Sequence, residues 1–256
     1  MTEEGFHRGR IDRRQTFGRI FRAWAGRLPD ATRRDHELNS HERNPALVTM
    51  NSKKPLVRVI PPEDADRKGI INFFFELGML KKTPRSGYQF LGSGKESVAD
   101  HSYRVTMIGY SLARLSGIAD PFKVVCLCLF HDVAEARTGD LNYVNKQYVR
   151  AYEREAIEDL AGTLPFGDDF RELMREYRAA ETLEAKLAHD ADQLDLILEL
   201  KEQSDLGNTY AVKWIHHALK RLETDLGKEI AAEILETDFT DWWFEGHDHW
   251  WNRQDG

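Results

Sequence analysis

The sequence is poor in the features that mark secreted or membrane-bound chains. Among 256 residues there are two cysteines, Cys126 and Cys128. They stand two apart in the apolar run VVCLCLF, where a helix would point them in different directions, so they are not expected to pair. Buried free thiols in a reducing cytoplasm are the expectation. No apolar run approaches the roughly 18 residues of a membrane span. The N-terminus, MTEEGFHRGRIDRR, lacks the apolar core of a secretion signal. Excess positive charge is also missing: 36 Lys and Arg face 43 Asp and Glu, for a net charge of -7. A nucleic-acid polymer, which selects for a basic face, is therefore not an expected partner. A small anionic substrate stays open, because local charge decides that. Alternation of strand type is absent as well, and there is no internal repeat, so the expected fold class is all-α.

What is present falls into three parts. Residues 1–60 are rich in Arg, Asn and Pro and end in a proline-bounded stretch from Asn44 to Pro62. They read as an appended, partly flexible segment with one short amphipathic helix, Phe17 to Leu28. A basic arm is disfavoured because acidic residues are interleaved with the arginines. Residues 61–235 carry helical periodicity throughout. Ile70 to Leu80 predicts a helix with Phe73, Phe74, Leu77 and Leu80 on one stripe. Lys81 to Gly94 reads as a loop. Ser97 and Asp100 predict a capped helix start, and Gly117 its stop. Asp120-Pro121 opens a helix expected to run through His131 to about Ala136, with Gly139 as its end. Further helices are expected over Lys146 to Leu160, Glu181 to Gln203, Tyr210 to Asp225 and Lys228 to Leu235. Residues 236–256 form a tryptophan-rich tail, expected to pack on the body or on a sister subunit rather than to stand exposed.

One set of residues carries chemistry: His101, the adjacent His131 and Asp132, then Glu135, Asp140 and Asp192. Imidazole nitrogens and carboxylate oxygens suit a hard or borderline divalent cation. His131-Asp132 follows the apolar run Val124 to Phe130, and a charged pair entering a core must be paired or metal-bound. Four residues separate His131 from Glu135, so a helix would put them on one face. A core histidine satisfied by its neighbours is the bland alternative. The tail segment His247-Asp248-His249 has no apolar helix around it and reads as solvated surface.

At these residues the chain resembles the HD-domain phosphohydrolases, an all-α helical-bundle family, in particular its 5′-deoxynucleotidase branch. The similarity runs from PRSGYQFLGSGKESVADHSYRV through LFHDVAEARTGDL to LAHDADQLDLILEL and covers roughly residues 65 to 225. It implies metal ligands at His101, His131, Asp132 and Asp192, with Asp190 and Asp195 as fallbacks for the last. It further implies a water-activating Glu135, a substrate-contacting and catalytic Asp140, and nucleotide contacts from Glu96. Where the bacterial branch carries Arg-Trp-Pro beside sugar and phosphate, this chain has Lys82-Thr83-Pro84 and then Arg85. Lys82 and Arg85 keep positive charge for phosphate. Thr83 in place of the tryptophan predicts weaker exclusion of a ribose 2′-hydroxyl. The implied cofactor is a divalent metal ion: manganese, cobalt, iron, magnesium or zinc. The implied activity is hydrolysis of a small nucleotide substrate, a (deoxy)nucleoside 5′-monophosphate, by a homodimer. Rival readings are another phosphoester (a triphosphate, a cyclic nucleotide or an alarmone) and a non-catalytic nucleotide-binding module.

Overall fold

The computed structural model describes residues 66–246. The short helix expected over Phe17 to Leu28, the rest of the N-terminal segment and His247-Asp248-His249 lie outside the described residues. Eight helices of nine residues or more make up the body: α1 (Arg67–Leu80), α2 (Val98–Ser116), α3 (Pro121–Phe130), α4 (Glu153–Ala161), α5 (Gly167–Ala179), α6 (Leu183–Asp205), α7 (Ala211–Leu219) and α8 (Asp225–Glu236). Four single helical turns, Tyr88–Leu91, Glu135–Thr138, Asn145–Tyr148 and Asp241–Phe244, fill the connections. The one extended pairing among the described residues is an isolated antiparallel bridge between Pro84 and Ser97. The fold is all-α, as the periodicity implies. No helix among the described residues is long and apolar enough to cross a membrane.

Helix starts follow local side-chain chemistry. Ser97 accepts from the Asp100 amide while Asp100 accepts from the Ser97 amide, a reciprocal cap that starts α2. Asp120 accepts from the Phe122 and Lys123 amides, and Pro121 takes the first helical position of α3. Thr182 and Thr224 cap α6 and α8 in the same manner. Gly117 ends α2 in the left-handed region at φ 71°.

The central element is α6, which packs against α2, α3, α5, α7 and α8. Ala188, Ala191, Leu194 and Ile197 on it are fully buried. A second apolar cluster joins Phe73 and Leu80 of α1 to Ile157 and Leu160 of α4 and Phe170 and Met174 of α5. On α1 the expected stripe is narrower than drawn: Phe73 and Leu80 are buried, but Phe74 is 63% exposed, because it lies about 100° round from Phe73.

Three boundaries and one whole helix differ from the sequence reading. The helix expected to pass through His131 ends at Phe130, and Glu135–Thr138 follows as a separate turn. The helix expected over Lys146 to Leu160 is interrupted at Val149, whose backbone is extended. Tyr210 to Asp225 is not one helix; it ends at Leu219, and Thr224 already caps the next. Helix α5 was not expected at all: its surface is so heavily charged that Phe170 and Met174 are its only large fully buried side chains. Of the aromatic tail, Trp242 is 81% exposed, so at this residue the expected packing on the body is not seen.

Candidate metal centre and active site

His101 lies one turn into α2, is fully buried, and points its Nε2 at α6. Its Nδ1 donates to Asp195 Oδ2 at 2.6 Å. Asp195 is itself held by the Arg104 guanidinium, which also binds Glu199 Oε1 at 2.5 Å. This rear support fixes the tautomer that leaves a lone pair on Nε2. His131 caps the end of α3 and is oriented likewise. Its Nδ1 donates to the Cys128 carbonyl at 2.7 Å, which again frees Nε2. Neither Nε2 has a hydrogen-bond partner, although both are buried. Buried imidazole nitrogens without partners are rare enough to require a cause.

The two nitrogens converge with carboxylates. His101 Nε2 is 3.2 Å from Asp192 Oδ1 and 3.6 Å from Asp132 Oδ2. His131 Nε2 is 3.1 Å from the same Asp132 oxygen. Ligand atoms of His101, His131 and Asp192 all lie within 4.8 Å of one another. The break after Phe130 makes this possible. From His131 onward the chain turns through tight hydrogen bonds, Val133 N to Phe130 O at 3.1 Å and Glu135 N to Asp132 O at 3.0 Å. Two adjacent side chains, diverging on a regular helix, are thereby brought to one point.

Electrostatics mark the same point. Burial disfavours charge on His101, but the Asp192 and Asp195 carboxylates beside its two ring nitrogens override it and raise its pKa to about 10. Burial opposes ionisation of Asp192, yet His101 and then His131 hold it far below the usual carboxylate range. Burial, then the carboxylates of Asp132 and Asp140, push Glu135 up to about 9, and its Oε2 is buried without a partner. Burial and Asp195 push Glu96 up to about 7. The Arg85 guanidinium resists the cost of burial because Asp132, Asp192, Asp140 and Glu135 surround it. One fixed cation thus faces four carboxylates. Such a cluster draws in positive charge, and a divalent ion would supply it while displacing protons from the imidazoles. Two bare imidazole nitrogens and two carboxylates, with no thiol, fit a hard or borderline divalent metal.

These groups line a cleft of about 230 Å³ that includes Arg85, His131, Asp132, Glu135, Asp140 and Asp192. Glu96 lines it too, with Tyr88 Oη 3.3 Å from its Oε2. Asp140 accepts from the Ser86 amide and, at 2.9 Å, from the Ser86 hydroxyl. It therefore ties the Arg85 loop to the turn after Gly139. Lys82 and Thr83 are not among the residues lining the cleft. Lys82 is exposed, and the Thr83 hydroxyl donates to the Met79 carbonyl at 3.1 Å. The fallback acids have other partners. Asp190 accepts from the Glu223 and Thr224 amides at 2.7 and 2.9 Å, anchoring the start of α8, and Asp195 stands behind His101.

Sequence reading missed several residues here. Arg104 follows His101 by three residues, a spacing that could have pointed to it; Asp195 was named only as a fallback ligand, not as the support behind His101. Tyr177 lies 5.5 Å from the His131 ring and stacks on His189 at 4.1 Å. Asn142, Tyr143, Lys146 and Trp214 line the cleft, and no local pattern announces them.

Comparison with known proteins agrees with this geometry. A family model described as HD domain matches residues 77–234. The 5′-deoxynucleotidase HDDC2 of Mus musculus is 32% identical over 184 residues, covering 65% of this chain and 90% of that protein. The 5′-deoxynucleotidase hdd1 of Schizosaccharomyces pombe is 34% identical over 170 residues, covering 59% and 84%. Among solved structures, a conserved hypothetical protein from Pyrococcus furiosus superposes with a TM-score of 0.55 at 31% identity, covering 65% of this chain and 99% of that one.

Proposed function

The chain belongs to the HD-domain family of metal-dependent phosphohydrolases, and on that premise we propose that it is a 5′-nucleotidase, releasing inorganic phosphate from (deoxy)nucleoside 5′-monophosphates. The observation that carries the reading is the pair of buried Nε2 atoms, without hydrogen-bond partners, converging on Asp132 and Asp192 beside a buried Glu135 carboxyl. His101, His131, Asp132 and Asp192 would hold one divalent ion, and their mixed N/O donor set suits manganese, cobalt, iron, magnesium or zinc. Bound there, the ion would supply Lewis-acid polarisation of the phosphoryl group and acidify water.

The remaining work falls to the chain's own residues. Glu135 faces the same cleft and orients the attacking water and takes its proton. Arg85 presents its guanidinium at the cleft floor, 3.4 Å from Asp132 Oδ2, and offsets phosphate charge. Lys146, which also lines the cleft, adds a second cation. Lys82 is not assigned a phosphate contact, and Thr83 is not assigned a role in sugar choice. Tyr88 lines the cleft where the sugar would lie. The 5′-deoxynucleotidase relatives support monophosphates over other nucleotides.

The test is phosphate release from a panel of deoxy- and ribonucleoside mono- and triphosphates and cyclic nucleotides, with manganese or cobalt added. Monophosphates should be cleaved with kcat/KM at least tenfold above the others. A triphosphate or cyclic nucleotide as the best substrate would overturn the substrate assignment.

A further inference from the structure

The cleft at the metal-binding cluster opens into a second cavity that the mechanism above does not use. Its volume is about 590 Å³, and it is lined by Tyr143, Leu196, Trp214, His217, Lys220 and Arg221. Tyr143, Leu196, Trp214 and Arg221 line both spaces, so the two are continuous. The inner cleft, at about 230 Å³, falls below the roughly 300–1,000 Å³ of sites that enclose a small organic ligand. A molecule larger than a sugar phosphate, seated with its phosphate at Arg85, must extend into the annex.

The annex differs chemically from the cleft. No carboxylate lines it. Its walls are the Tyr143, Trp214 and His217 rings and the Leu196 side chain, joined by Arg221 and by Lys220, which like His217 is exposed. Arg221 is laid over the Tyr143 ring, with its guanidinium carbon 5.7 Å from the centroid, so its charge is directed at a π-face. Trp214 projects from α7 towards the loop that carries Arg85: a Cβ added at Gly87 would lie 3.4 Å from the indole. That is ordinary van der Waals spacing, so the indole packs beside the loop that handles phosphate. A planar, weakly polar group suits this space better than a second anion, because flat rings offer stacking area and the guanidinium is already engaged.

We propose that the annex is a nucleobase subsite, in which Trp214 and the Arg221-backed Tyr143 ring receive the base of the substrate by stacking. This rests on the nucleotidase reading. Stacking uses the π-face common to all bases, so the subsite selects for the presence of a base more than for its identity. It accounts for how a one-metal centre prefers a nucleotide to other phosphate monoesters.

The experiment compares a 2′-deoxynucleoside 5′-monophosphate with 2-deoxyribose 5-phosphate, the same ester without its base. Wild type, Trp214→Ala, Trp214→Phe and Tyr143→Ala are assayed as the full, metal-loaded chain. Wild type should prefer the nucleotide by roughly tenfold or more in kcat/KM, given the usual strength of base–aromatic stacking. Trp214→Ala should cut that preference by about tenfold, chiefly through KM, and Trp214→Phe should restore most of it. Tyr143 is 59% exposed, so Tyr143→Ala tests the same wall even if loss of the indole disturbs folding. Equal cleavage of both esters by wild type overturns the subsite. So does an undiminished preference in Trp214→Ala or, should that variant not fold, in Tyr143→Ala. Failure of the underlying reading looks different: wild type loaded with metal cleaves neither ester, and the subsite falls with it.

Discussion

Glu135 and His131 lie four residues apart at the edge of one cleft, yet their surroundings assign them different work. His131 offers a bare nitrogen fixed from behind by the Cys128 carbonyl. Glu135 offers a carboxyl whose pKa is pushed up to about 9, first by burial and then by Asp132 and Asp140. Without metal that carboxyl holds its proton; a divalent ion beside Asp132 would draw its pKa down and leave a carboxylate able to take a proton from water, whereas a ligand is bound to the ion itself. Glu135→Gln should therefore keep its metal and bind nucleotide while turning over roughly 10²–10⁴-fold more slowly. His131→Ala should instead lose metal. Metal content and nucleotide binding on both purified variants decide this, and a metal-free Glu135→Gln would make the residue a ligand. The site's residue types were legible in the sequence because His131-Asp132 breaks an apolar run and needs a reason to be there. Which nitrogen faces the ion was not legible. It depends on Asp195, which only the packed helices bring to His101, and on the Cys128 carbonyl, which His131 reaches because the helix ends there.

At the scale of elements, the crossing of α2 and α3 sets the distance between the two histidines, whose ring centroids are 5.4 Å apart. Gly109 permits that crossing. A Cβ there would lie 2.4 Å from Cys128 Sγ and 3.1 Å from Val124 Cγ1, and both side chains are fully buried. Gly109→Ala should overpack this contact, costing roughly 1–3 kcal/mol. Thermal unfolding would register it, and metal affinity should fall as the helices part. An unchanged melting temperature would show that the crossing is not tight. Helix starts at Ser97 and Asp120 were legible because a cap is chemistry between residues two or three apart. The end of α3 at Phe130 was not. Val133 and Ala134 continue the apolar pattern, and neither glycine nor proline marks the break, so the nearest visible stop was Gly139. The same limit hid Trp214. Its spacing on α7 says helix, but its approach to Gly87 joins residues more than a hundred positions apart.

At the scale of the whole molecule, the charge balance is informative in its distribution rather than its sum. The chain carries a net charge of -7, and its cleft gathers Asp132, Glu135, Asp140 and Asp192 around one arginine. An anionic substrate would be repelled from such a cleft unless a cation sat among the carboxylates. The account therefore makes catalysis and metal binding one property. Composition offered no reason to expect a basic, polymer-binding surface, and it could not reveal that acidic groups concentrate in the cleft. The most direct test is to strip the full chain with a chelator and titrate it with manganese or cobalt, following bound metal and phosphate release from a deoxynucleoside monophosphate together. The account predicts no turnover in the stripped protein, and activity rising in step with metal until one ion is bound per chain. Full turnover by the stripped protein, or metal uptake that leaves it inert towards every phosphate ester, would contradict it.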